Sequence, residues 1–400
     1  MDHTPSPAAP ASAPRPPRST ATSVAPAKFA VRRVPLLLLG GASLLMGLAG
    51  GLARIGSGMP SPQSAAVGHG VLMALGFLGT LITLERSVAM GRSWGFATPV
   101  LSGLGAVLLV AGAPSPVPEL VLTAAGAWLT AVYVVMWQMQ QAPHIAVQLL
   151  GALAWWGAGV RWLTGGSLSQ IAPWLAGFLV LTIVGERLEL SRFAIVGRTA
   201  GNTMLAASGV LSLGMLVGLA DADAGARVFG LALVLFGLWA TRFDLIRRTI
   251  HTPGLTRYMA VCMAAGYAWL SVAGLLWMVH GSVTDGPVYD AALHAVFLGF
   301  AMSMVFGHAP VILPAVLRIR LPHHGRDYVV LAILHASLLL RLGLGDGLGL
   351  TPARILGGIL GAIALLAFVA NSAFTAAAAS RAPAPRRPVS TTTQPERMPR

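Results

Sequence analysis

The chain has 400 residues, of which 55% are hydrophobic and only 10% charged, with a net charge of +14 and a mean hydropathy of +0.73. A soluble domain carries about 25% charged residues, and long apolar runs do not fit the short alternating strands of an outer-membrane barrel. What remains is an all-α, polytopic transmembrane helical bundle in a lipid bilayer. The basic balance would suit nucleic acid, but no basic helix is interleaved with aromatics. The single cysteine, Cys262, excludes an intramolecular disulfide, a Cys-x-x-Cys-His haem attachment and a thiolate cluster. Any metal must be held by histidine, methionine or carboxylate.

In chain order, residues 1–33 are rich in Pro, Ala and Ser with scattered Arg, and read as a disordered cytoplasmic tail. The apolar run from Val34 to about Leu52 is long enough to span, which argues against a cleaved leader. Twelve spans are expected, at about 34–54, 66–85, 96–113, 119–139, 144–163, 171–189, 202–220, 227–245, 259–279, 289–316, 328–347 and 353–375, within a transmembrane domain of 34–375. A second disordered tail, 376–400, closes the chain. With the N-terminus inside, 22 of the 27 Lys and Arg fall in cytoplasmic segments. The other side keeps Arg54, Arg161, Arg227, Arg341 and Arg354, together with acids such as Asp221, Asp223, Asp285 and Asp290. This positive-inside bias would invert downstream of a missed span, so twelve spans with both termini cytoplasmic is the expected topology. The membrane implied is a bacterial-type inner membrane.

Ionisable side chains at membrane depth are costly and read as functional by default. Of the ten histidines, His3 is in the tail, His251, His323 and His324 fall in loops, and His144 and His280 lie at span ends. Four remain within spans: His69, His294, His308 and His335. His294 and His308 are fourteen residues apart. At 100° per residue that returns the second imidazole to within about 40° of the first, roughly 21 Å along one helix face. The topology then sorts the four into an outer pair, His69 with His294, and an inner pair, His308 with His335. Two imidazole layers suit haem iron or copper held by all four residues, with a transmembrane electron relay as the chemistry. Arg54 and Arg161 outside, or Arg86 and Arg318 inside, could neutralise propionates, and Met73, Met302 or Met304 could be soft neighbours of copper. The alternatives are that these histidines handle protons or substrate, or that they only hydrogen-bond between helices.

Other features are less specific. Pro310 and Pro314 would bend the tenth span. Glu186, Glu189 and Arg192 at the end of the sixth span would form local ion pairs. Glu85-Arg86 and Gly91-Arg92 fall in the loop after the second span, and Arg341 would pair with Asp346. That loop faintly resembles the acidic-Arg-Gly-Arg loop of the major facilitator family, which with the helix count supports a twelve-span secondary transporter as the second reading.

His69-Gly70-Val71-Leu72-Met73-Ala74-Leu75-Gly76-Phe77 resembles the second-span motif of the NnrS family, a His followed by Met, Gly and Phe at these offsets. Leu293-His294 with Gly299 is similar to that family's later span, and His324-Gly325-Arg326 to its His-x-Gly-Arg loop. The resemblance implies a haem- and copper-binding inner-membrane protein of nitric-oxide tolerance, with metal at His69 and His294. The redox reading would call for an electron donor or a quinone-like small molecule as partner. The chain departs from the family at Val71 and Leu72, where a second histidine and an acid are expected. Gly307-His308-Ala309-Pro310 also lengthens the gap before the His-x-Gly-Arg match.

Overall fold

The computed structural model describes residues 33–191 and 198–381. The tail residues 1–32 and 382–400, and the ion pair expected of Arg192, lie outside them. Among the described residues there is no strand. Twelve long helices follow one another: α1 Val34–Arg54, α2 His69–Met90, α3 Ser93–Val110, α4 Val117–Met139, α5 Pro143–Leu163, α6 Leu168–Ser191, α7 Arg198–Val217, α8 Ala222–Phe243, α9 Leu255–His280, α10 Gly286–Leu317, α11 Asp327–Asp346 and α12 Thr351–Arg381. All but α5 are both long and apolar enough to cross a membrane.

Several boundaries depart from the sequence reading, each for a local reason. α2 does not stop before Glu85-Arg86 but runs on to Met90, because the Arg86 charge is neutralised inside the bundle; Gly91, at φ 69°, then supplies a left-handed stop. α12 continues to Arg381 through four consecutive alanines, 376–379, the best helix formers, so the first residues assigned to the tail are helical. Asp221 caps α8 by accepting bonds from the amides of Asp223 and Ala224. Pro310 and Pro314 both lie within the last part of α10.

Consecutive helices pack against each other, and α12 returns against α1 to close the ring. The most enclosed helices include α2 and α6, and α10 touches both. The centre is therefore built by every fourth helix of the chain. Glycines on α1 let α2 approach closely: a Cβ at Gly47 would come within 2.7 Å of Met73 Sδ, and one at Gly51 within 2.6 Å of His69 Cε1. Trp155, Tyr133, Phe178, Phe236 and Phe300 fill the interior. The Trp155 indole donates to the Leu122 carbonyl at 3.0 Å, so this large ring is buried without an orphaned donor.

Candidate functional site

Three helices of this bundle lose α-helical register. Leu72–Gly79 in α2, Ala295–Ala301 in α10 and Leu339–Asp346 in α11 are π-helical. Such turns occupy well under about 1% of residues in globular proteins and concentrate at functional sites. Here all three border one cavity. His69 precedes the first stretch, His294 precedes the second, and Arg341 lies in the third; all three residues line the cavity.

The cavity measures about 270 Å³ and sits at the end of the bundle where α1 finishes and α2, α6, α10 and α12 begin. Its apolar wall includes Leu48, Leu52, Phe297, Leu298 and Leu365, with Met73 alongside. The His69 and His294 rings face this space with centroids 6.4 Å apart and planes within 15° of parallel. His69 Nδ1 lies 2.6 Å from the Gly47 carbonyl oxygen and His294 Nδ1 lies 2.8 Å from that of Asp290. A carbonyl only accepts, so each Nδ1 carries a proton and each neutral ring keeps its lone pair on Nε2. His294 Nδ1 is also 3.3 Å from the Asp290 carboxylate. Arg341 holds that carboxylate with two bonds of 2.9 Å. A carboxylate–histidine pair anchored in this way fixes ring orientation. Arg341 therefore pairs with Asp290, not with Asp346 as the sequence suggested.

The other two intramembrane histidines are not brought together. His335 Nδ1 accepts the Trp269 indole N–H at 3.1 Å. Because that donor cannot accept, the neutral His335 ring must carry its proton on Nε2 and has no lone pair left for a metal. His308 Nδ1 donates to the Met304 carbonyl at 2.7 Å, which leaves its Nε2 as a buried acceptor without a partner. His308 stands in the electrostatic field of Arg187 and Asp244. The inner pair expected from the sequence is therefore replaced by two separate environments. Among the described residues, no three His, Cys, Asp or Glu side chains converge to hold a metal ion. Arg161 also leaves the proposed rim, since it bonds Gln170 at 2.9 Å, whereas Arg54, Arg341 and Arg354 line the cavity.

The model of one protein family, described as a domain of unknown function (DUF8744), matches residues 33–377. The chain belongs to the DUF8744 family. No curated protein and no solved structure matches it significantly. The matched DUF8744 region takes in the cavity and two ionic clusters near the opposite end of the bundle.

The first cluster joins α2 to α6. Arg86 grips Glu85 with two bonds of 2.7 Å and lies 3.3 Å from Glu189 and 3.6 Å from Glu186. Glu186 and Glu189 thus turn to another helix for their cation. The second cluster is a pair between Arg187 and Asp244 at 2.9 Å, both nearly withdrawn from solvent. Sequence spacing gave no sign of either link between helices, because each joins residues more than fifty positions apart. His323, expected to be a solvated loop residue, stacks on Tyr258 with ring centres 4.8 Å apart and bonds Asp327 at 2.7 Å. Arg326 of the His-x-Gly-Arg segment ties α11 to α12 through Asn371 at 2.6 Å and Thr375 at 2.8 Å, a structural role.

Proposed function

We propose that this protein is an integral-membrane metal-centre protein in which His69 and His294 hold one redox-active metal, haem iron or copper, within the cavity. The observation that carries this reading is the imidazole pair itself: parallel rings 6.4 Å apart, each with Nδ1 committed to backbone and Nε2 free. Each free lone pair lies in the plane of its ring, and both rings line the same cavity, so one bound group there could draw on both nitrogens. Bound there, haem iron or copper would supply one-electron chemistry. The chain's own part is to fix both tautomers, to orient His294 through Asp290 and Arg341, and to shield the site with an apolar wall. Met73 is a soft neighbour suited to copper.

A role in redox chemistry or in the response to nitric oxide, with an electron donor or quinone-like partner, belongs to the same proposal and draws on the motif around His69 and His294. So do the topology, with both termini cytoplasmic in a bacterial-type inner membrane, and the transmembrane domain flanked by two tails. These draw on the Lys and Arg distribution. The test is an optical spectrum of purified, dithionite-reduced protein with metal analysis. A Soret band or stoichiometric copper that is lost in both His69→Ala and His294→Ala supports the reading; metal content unchanged in both refutes it.

A second reading, a twelve-span secondary transporter, is favoured by the Arg86 cluster, since buried charge inside a membrane bundle marks ion and substrate pathways. Gradient-driven uptake into proteoliposomes that survives chelation and the loss of both histidines would establish it.

A further inference from the structure

Three guanidiniums line the cavity: Arg54 at the end of α1, Arg341 in α11 and Arg354 near the start of α12. Asp290 is the one carboxylate among the lining residues, and both its oxygens are engaged by Arg341 Nε and Nη2. The remaining Nη1 of Arg341 turns toward α12, only 3.2 Å from where a Cβ would stand on the lining residue Gly358. Arg354 Nε is buried with no hydrogen-bond partner. Arg54 has a single long bond, 3.4 Å, to the Ala66 carbonyl. Buried donors are almost always paired, and an unmet one is expensive. Here the buried, unmet donor is Arg354 Nε, while the exposed Arg54 adds its charge to the same wall.

With neutral imidazoles, three guanidiniums against one carboxylate leave the lining formally at +2. Asp346, which interacts electrostatically with Asp290, Arg341 and Arg354, lowers this only to +1. A bare metal cation would enter against that charge. A ligand with an apolar body and anionic groups along one edge would enter with it, and guanidinium is the side chain best matched to carboxylate.

We propose that Arg54, Arg341 and Arg354 form a carboxylate clamp, and that the cavity takes an amphipathic organic dicarboxylate whose acid groups meet this rim while its apolar body lies against the wall near His69 and His294. This rests on the metal-centre reading, and adds that the metal arrives inside such a ligand and not as a bare ion.

The test is an absorbance titration of purified protein in detergent with three probes: ferric protoporphyrin as the free diacid, its dimethyl ester, and copper(II) alone. The diacid is expected to bind about tenfold or more tighter than the diester, the loss expected when charge-assisted bonds are removed. R54Q and R354Q are each expected to lower diacid affinity toward that of the diester. Arg54 is exposed at a helix end, so R54Q keeps the test open should R354Q fail to fold. Equal affinity for diacid and diester overturns the clamp while leaving iron at the histidines. Tight copper binding with neither porphyrin bound overturns the clamp and reduces the metal reading to a bare ion. Binding of none of the three overturns both.

Discussion

Substituting Gly51 by alanine tests the histidine pair without replacing either imidazole. A Cβ at Gly51 would stand 2.6 Å from His69 Cε1 and 2.8 Å from Nδ1, where ordinary contact begins at 3.4 Å. The ring must therefore retreat by about 0.8 Å, and metal–ligand distances tolerate only about 0.2 Å. Retreat also strains the Nδ1 bond to Gly47, 2.6 Å long, which fixes the tautomer. Metal affinity is expected to fall by about 10–100-fold, the range seen when supports of a ligand are disturbed. Overpacking costs about 1–3 kcal/mol, partly offset by the gain of up to about 1 kcal/mol from removing a helix glycine. The fold should survive. Gly41 on the same helix is the control, because a Cβ there meets nothing within 4 Å, and Gly41→Ala should be neutral or slightly stabilising. Metal content and the visible spectrum of the two variants, measured side by side, decide the matter. Wild-type metal content in Gly51→Ala, or an equal loss in Gly41→Ala, would refute the reasoning.

Three further outcomes follow from the same geometry. His335→Ala should leave metal content and spectrum unchanged, because Trp269 already occupies the nitrogen that would have to stay free; loss of metal comparable to His69→Ala would contradict the tautomer assignment. Arg187→Met should destabilise by about 3–5 kcal/mol, whereas Arg187→Met combined with Asp244→Leu should lie near wild type, since an uncompensated buried charge costs far more than a missing pair. Thermal unfolding in detergent measures both, and additive losses would exclude a paired origin. Arg86→Met should leave Glu85, Glu186 and Glu189 without their shared cation and lower stability, toward the low end of about 3–5 kcal/mol because the carboxylates are partly exposed. Adding Glu186→Gln should recover part of that loss, and no recovery would show that the cluster is not held by charge.

The helices were legible in the sequence because hydropathy alone selects spanning segments, and each expected span has a helix over most of its length. The pairing of His69 with His294 was legible, since helix direction places both near the same end of the bundle. What failed was information that one strand of sequence does not hold. Trp269 gives no sign that its indole reaches His335 in another helix. Arg354 looks like an ordinary anchor until the fold turns it toward the cavity. Glu85-Arg86 was placed in a loop because two charges end an apolar run, but three carboxylates from two helices make Arg86 tolerable inside one.

The separation of His308 from His294 has a more specific cause. The expectation that both share a face assumed 100° per residue throughout. Between them lies the π-helical stretch Ala295–Ala301, whose wider i→i+5 turns advance each residue by less. Over seven residues the shortfall amounts to roughly a quarter turn. Such a shortfall would carry His308 off the face of His294, and His308 stands in the field of Arg187 and Asp244. The same irregularity in α2 and α11 lies beside His69 and carries Arg341. A π turn replaces good hydrogen-bond geometry with poorer, so three independent instances around one cavity are not neutral decoration of a packed bundle. Regular helices would serve a scaffold as well or better. The register shifts are explained if the position of the two imidazoles and the arginine rim matters more than the stability given up to set it.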